Sequence, residues 1–154
     1  MFDNAVDFKQ WLKQELNTVR QELGMETGIA SFIAENDYTI VEVDSDMEGI
    51  FEAGQVFPLQ DTYCRAVVES EQAVKYNHVA TIKTMLQHPV YQAVKLESYI
   101  ASPIFDAQQK VIGTINFTSL QPHKPKFNVD EQQLVDEFTA RVSENAELYK
   151  ALIA

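Results

Sequence analysis

"SYIASPIFDAQQKVIGTINFTS", residues 98–119, holds two apolar runs separated by "DAQQ" at 106–109. Both runs are rich in β-branched and aromatic side chains, so residues 97–105 and 110–118 are expected to pair as an antiparallel hairpin. The second run alternates: Val111, Ile115 and Phe117 fall on one face, Ile112, Thr114, Asn116 and Thr118 on the other. The first of these is a core face. The other carries hydroxyls and an amide, which need partners if covered, because an unpaired buried polar group costs about 1–3 kcal/mol. An exposed sheet face and the lining of a covered pocket both fit, and the strand alone leaves the two open.

Upstream, "GIASFIA" (28–34) and "YTIVEVD" (38–44) flank Glu35, Asn36 and Asp37, which are turn-forming types, and read as another hairpin. A third strand is expected near 50–57 and a short one within 72–77. Before them, Phe8, Leu12, Leu16, Val19 and Leu23 recur at helical spacing, with Lys9, Lys13, Glu15 and Arg20 off that stripe. Asp3 or Asn4 can cap this helix, and Gly24 suits a left-handed C-cap.

"DTYCRAVVES" (61–70) is expected to be a helix capped by Asp61 or Thr62, with Cys64, Val67 and Val68 on one side. Residues 79–97 should form one or two short helices broken at Pro89. Asn128 followed by Glu131 extends the capping-box pattern to Asn and opens a last helix. Its stripe of Val135, Phe138, Val142, Ala146, Tyr149 and Ile153 runs beside Leu134, Leu148 and Leu152. The first half should pack on the sheet. Residues 145–154 either continue that packing or meet a partner copy, and a homodimer through residues 135–153 is the expectation carried forward. Helix, strands, short helices, strands and helix in this order point to an α+β fold with an antiparallel sheet.

Size and composition narrow the function. A length of 154 residues suits a single domain, with residues 1–24 a helix, 28–119 the sheet and pocket, and 128–154 a closing helix. Only 12 Lys and Arg face 23 Asp and Glu, a formal charge of −11, which argues against nucleic acid or an anionic membrane as partner. The single cysteine, Cys64, cannot form an internal disulfide and fits a reducing compartment. With no secretory signal at the start and no long apolar run, a cytoplasmic location is expected. "DSDMEG" (44–49) resembles the start of a calcium loop, but Gln55 stands where the bidentate Glu belongs, so a solvated acidic turn is the better account. His78, His88 and His123 lack metal-ligand spacing and are expected at the surface or in loops.

Taken together, "FEAGQVFPLQDTYCRAVVES", "SYIASPIFDAQQKVIGTINFTS", "FNVDEQQLVDEFTARV" and the opening helix resemble a GAF domain across about residues 10–150. The resemblance implies a sheet of five to six antiparallel strands, with N- and C-terminal helices on one face and a ligand pocket under short helices and loops on the other. It also implies a non-enzymatic sensory role, passing a signal through the terminal helices of a dimer to an output domain, such as a kinase or cyclase, or to a partner protein. The expected ligand site is Tyr63, Cys64, Val67, Tyr91, Tyr99, Asn116 and Thr118, with the ligand unknown.

Family chemistry can be tested against the residues. Bilin-binding members commonly carry Cys followed by His where this chain reads "MLQHPVYQAV", and Asp61-Thr-Tyr-Cys64 departs from a second-cysteine motif; neither a bilin nor a haem is expected. Free methionine sulfoxide reductases of the family need a resolving thiol that is not present here, and no metal is expected. A cyclic-nucleotide signature is matched only in part, by Asn116, Phe127, Asp130 and Glu131. A ligandless dimerisation module, and a thiol sensor or redox enzyme built on Cys64, remain the alternatives.

Overall fold

A computed structural model describes residues 2–47 and 49–153; Met1, Glu48 of the acidic turn, and Ala154 of the closing helix lie outside the described residues. α1 (Ala5–Leu23) starts where the Asn4 side chain accepts the Asp7 N–H at 2.9 Å, and it stops at Gly24, whose φ of 68° is left-handed. Phe8, Leu12, Leu16, Val19 and Leu23 are all buried, each contributing roughly 1.5–3 kcal/mol relative to exposure.

Among the described residues six strands form one antiparallel sheet: β1 (Thr27–Ala34), β2 (Asp37–Ser45), β3 (Val56–Pro58), β4 (Val74–Tyr76), β5 (Ser98–Phe105) and β6 (Val111–Ser119). Their order is β3-β2-β1-β6-β5-β4, so both expected hairpins form and β6 pairs across the middle with β1. Every residue of β6 is buried, as a strand covered on both faces requires. α2 (Cys64–Ser70) and α3 (Pro89–Val94) lie between the hairpins in sequence, and α4 (Val129–Glu144) and α5 (Ala146–Ala151) close the chain. The core has two layers. α1, α4 and α5 pack with Ala30, Ile100, Ile104, Ile115 and Phe117 on one face, while α2 and α3 pack with Ile29, Ile40, Tyr99 and Ala101 on the other.

Several expectations are corrected. The register of β5 and β6 shifts between Ile104 and Phe105, and Ile112 joins the terminal-helix core rather than the Thr114 face. Pro89 opens α3 at its first turn instead of breaking a helix, where its missing N–H costs nothing. Neither Asp61 nor Thr62 caps α2: a 3₁₀ turn at Leu59–Asp61 precedes it, and the Thr62 hydroxyl donates to the Leu59 carbonyl.

Arg20, off the apolar stripe, is buried, with Nε donating to Asp44 at 2.7 Å and its guanidinium also reaching Asp46 and the Met25 carbonyl. The acidic turn is thus a clamp on α1. The last helix divides at Asn145, and Val135, Phe138, Val142, Ala146 and Tyr149 are all buried against α1 and the sheet. Tyr149 is fully buried and donates to the Ser31 carbonyl at 2.5 Å, so the stripe from Val135 to Tyr149 is consumed inside the chain, while Ile153 stays half-buried.

Candidate functional site

On the face opposite the terminal helices, the sheet, α2, α3 and the loops before α2 enclose a cavity of about 240 Å³. That lies just below the roughly 300–1,000 Å³ of ligand pockets for drug-sized molecules. Ile29, Tyr38, Tyr99, Asn116 and Thr118 form its floor on four strands, and Asp61, Thr62, Tyr63 and Cys64 form one wall. Pro89, Val90, Ala93 and Val94 cover it from α3, with Phe51, Phe57 and Leu96 completing the apolar sides. Alternation explains the floor: Thr114, Asn116 and Thr118 are two apart on β6 and share the face that α2 and α3 cover.

The polar groups beneath this cavity bind one another. The Asn116 amide donates to the Tyr38 hydroxyl at 3.1 Å and the Thr114 hydroxyl at 3.0 Å. The Cys64 sulfur lies 3.0 Å from the Tyr99 hydroxyl and 3.2 Å from that of Thr114, which in turn meets the Ser31 hydroxyl at 2.7 Å. Tyr63 donates to the Leu96 carbonyl at 2.8 Å. Thr118 differs. The residue is among those lining the cavity, but its hydroxyl oxygen is buried away from the open space and has no hydrogen-bond partner among the described residues. Native proteins leave few such groups, so this orphan beneath the pocket floor is a local cost to the folded state.

Burial keeps this network neutral. It pushes the Cys64 thiol up from its ordinary range, against the pull of hydrogen bonds with Thr114 and Tyr99, and pushes the Tyr38 and Tyr99 hydroxyls well up. Cys64 is 2% exposed, so the thiol is shielded as well as un-ionised. His88 lies in the loop before α3, within the expectation of a surface or loop histidine, but it is buried rather than at the surface. Its Nδ1 accepts the Val90 N–H at the start of α3, and its ring lies 4.9 Å from that of Tyr63. Burial, reinforced by the Arg65 charge, lowers its pKa.

Of the seven residues expected at the site, Tyr63, Cys64, Tyr99, Asn116 and Thr118 come together on the cavity wall. Val67 and Tyr91 do not line it. Val67 is fully buried in the apolar layer, and Tyr91 turns its hydroxyl to Glu97 at 2.8 Å. A roof of short helices was expected, but sequence reasoning did not name Tyr38, Phe51, Phe57 or the α3 residues that line the cavity. Val90, Ala93 and Val94 at helical spacing were a readable signal for the roof; Phe51 and Phe57 lie outside the longer strands and had none.

Among the described residues no three His, Cys, Asp or Glu side chains are placed to hold a metal ion, and no helix is long and apolar enough to cross a membrane. No curated protein matches the chain.

Solved structures with similar folds include a far-red cyanobacteriochrome photoreceptor, at 13% identity and TM-score 0.69, covering 94% of this chain and 86% of that one. Another is the GAF domain of the Acinetobacter phosphoenolpyruvate-protein phosphotransferase, at 14% and 0.70, covering 92% and 81%. A third is the type II free methionine-R-sulfoxide reductase of Thermoplasma acidophilum, at 12% and 0.67, covering 88% and 89%. At such identities the likeness is one of fold. The family model described as "GAF domain" matches residues 5–145, nearly the whole chain, and with the six-stranded sheet and its covered pocket face it shows that this chain belongs to the GAF domain family.

Proposed function

We propose that this chain is a single, non-enzymatic sensory GAF domain that binds a small molecule in the cavity over β6 and signals through its terminal helices. The observation that carries the reading is the cavity of about 240 Å³ over β6, mostly apolar in its cover and sides, with Asn116 among the polar residues of its floor. Binding there would order α3 and the loop around Phe51, which form the cover.

A route to the other face of the sheet is in place. Asn116 meets Thr114, Thr114 meets Ser31, and the Ser31 carbonyl receives the hydroxyl of Tyr149 on α5. Pocket and C-terminal helix are therefore joined by a short polar chain through the sheet. The output is an attached domain or a partner protein in the cytoplasm, of the kinase or cyclase kind. Self-association of such a sensor would use the half-buried Leu134, Leu148 and Leu152 that flank the buried stripe. The reductase among the structural neighbours is no guide to activity here, since the lone thiol is buried and has no second cysteine to resolve it.

Mass spectrometry of small molecules released on denaturing the purified protein tests the reading, together with a thermal-shift screen of small organic compounds. A released compound that raises the melting temperature when added back supports it. Nothing released and nothing stabilising would leave a ligandless module.

A further inference from the structure

Resting on the reading that the cavity holds a ligand, we propose that its occupant is a neutral, mainly apolar molecule whose N–H or O–H donates to Oδ1 of Asn116, and that molecules able only to accept a hydrogen bond are disfavoured. The two ends of the Asn116 amide fare differently. Nδ2 donates to the Tyr38 and Thr114 hydroxyls at 3.1 and 3.0 Å and lies 3.5 Å from the Cys64 sulfur, so its donors are spent within the protein. Oδ1 receives no hydrogen bond from any described residue, although an amide oxygen offers two lone pairs. Nor is it sealed in: among the described residues, the Thr118 hydroxyl is the one unpartnered side-chain polar atom closed off from all open space. Asn116 is 2% exposed and stands on the cavity floor, so the surface left to Oδ1 opens into the cavity.

The neighbours of Asn116 on the lining are engaged. Tyr63 donates to the Leu96 carbonyl at 2.8 Å, Thr62 to the Leu59 carbonyl at 2.9 Å, and the Tyr99 hydroxyl meets the Cys64 sulfur at 3.0 Å. Above them Phe51, Phe57, Val90 and Val94 exclude water without offering a polar bond from their side chains. A donor set against Oδ1 therefore gains a buried hydrogen bond, whereas a carbonyl there opposes two oxygens and leaves both unpaired. Neutrality follows from the charges. No Lys or Arg lines the cavity among the described residues, and the one charged lining side chain is Asp61, half-buried in the turn before α2. An anion would lose its hydration facing a carboxylate. An ammonium would exchange its water for one amide oxygen and one well-screened carboxylate, which return less than its desolvation costs.

The test uses the full chain and four probes of one fused-ring frame: indole, a donor; indene, which neither donates nor accepts; 1-indanone, which only accepts; and 2-aminoindane, an ammonium at neutral pH. Each is titrated by NMR against wild type and against Asn116→Leu, which keeps the shape of the side chain and removes both polar ends. Wild type is expected to bind indole at least about fivefold more tightly than each of the others, as one buried hydrogen bond allows. Asn116→Leu should bring indole and indene within about twofold of each other. In wild type the indole N–H proton should show a nuclear Overhauser effect to the Asn116 side-chain amide protons. That readout needs no variant and stands even if Asn116→Leu does not fold.

Equal or tighter binding of 1-indanone or 2-aminoindane than of indole overturns the ligand class while the pocket reading stands. Equal binding of indole and indene by wild type, a preference that survives in folded Asn116→Leu, or no Overhauser effect to the Asn116 amide overturns the role of Asn116. If no probe binds at millimolar concentration but denaturation releases a compound, its chemistry decides. A neutral N–H or O–H donor supports the proposal, and an ionised or acceptor-only compound overturns it. If no probe binds and nothing is released, the ligand pocket itself is refuted.

Discussion

Replacing Thr118 by Val should stabilise the ligand-free protein, a sign opposite to that of most buried polar substitutions. The exchange keeps the branched shape and swaps a hydroxyl for a methyl. In the folded state that hydroxyl has given up water and gained no protein partner, a cost of about 1–3 kcal/mol. Val removes this cost and adds apolar burial worth about 0.8 kcal/mol. The expected gain is about 2 kcal/mol, which for a chain of this size raises the melting temperature by about 4–8 °C.

Thr114→Val, two residues away on the same strand face, is the internal control. Its hydroxyl lies 2.7 Å from that of Ser31 and 3.2 Å from the Cys64 sulfur, so the same exchange should destabilise by about 1–3 kcal/mol. Both variants and wild type would be refolded from urea to strip any bound compound, then unfolded in urea and scanned by calorimetry. Opposite signs are the prediction. A Thr118→Val protein less stable than wild type, or two variants shifted in the same direction, would refute the argument from the orphan hydroxyl.

Other perturbations follow from the same geometry. Tyr149→Phe removes the hydroxyl that donates to the buried Ser31 carbonyl, and should cost about 1–3 kcal/mol by urea unfolding; an unchanged midpoint would show that bond to be dispensable. Gly113→Ala places a Cβ 1.9 Å from the Ser31 carbonyl oxygen, backbone that no rotamer change can move, so it should cost more than about 3 kcal/mol or prevent folding. Wild-type stability would contradict the close approach of β1 and β6.

His88 supplies a pH test. Burial lowers its pKa, so the unfolded chain binds the proton more tightly than the folded one. Its contribution is complete above the unfolded value near 6.5 and is lost as pH falls through that value toward the folded one, by at most about 1.4 kcal/mol per pH unit. His88→Asn keeps a capping acceptor and should show a flatter fall in unfolding free energy between about pH 7.5 and 5.5; parallel curves would sink the assignment. Finally, Cys64 in native protein should react with a thiol reagent orders of magnitude more slowly than in urea, because it is 2% exposed and held neutral. Fast native labelling would reopen the thiol chemistry.

How much of this was legible beforehand depends on the range of the interactions involved. Helix α1 with its Asn4 and Gly24 ends, the Asn128–Glu131 capping box and the period-two pattern of β6 are written in residues within a few positions of one another. Local sterics and hydrogen bonding decide them, so the α+β layout and the polar face of Thr114, Asn116 and Thr118 could be read directly. Even the pocket floor was half legible, since a polar strand face needs only a cover to become a lining.

What covers that face is another matter. Tyr38 meets Asn116 across 78 positions of sequence, and Ser31 meets Thr114 across 83. Arg20 fits an exposed helix position until Asp44 at the end of β2 and Asp46 in the turn after it compensate its burial. Tyr149 looked available to a partner because its periodicity is the same on a core-facing and an interface-facing stripe; the break at Asn145 and the Ser31 carbonyl settle which it is.

From its local patterns alone, the sequence determined the elements and the character of each face. The tertiary structure decided which polar groups found partners and left Thr118 without one, because a buried group's hydrogen bonds depend on distant segments that no local pattern specifies.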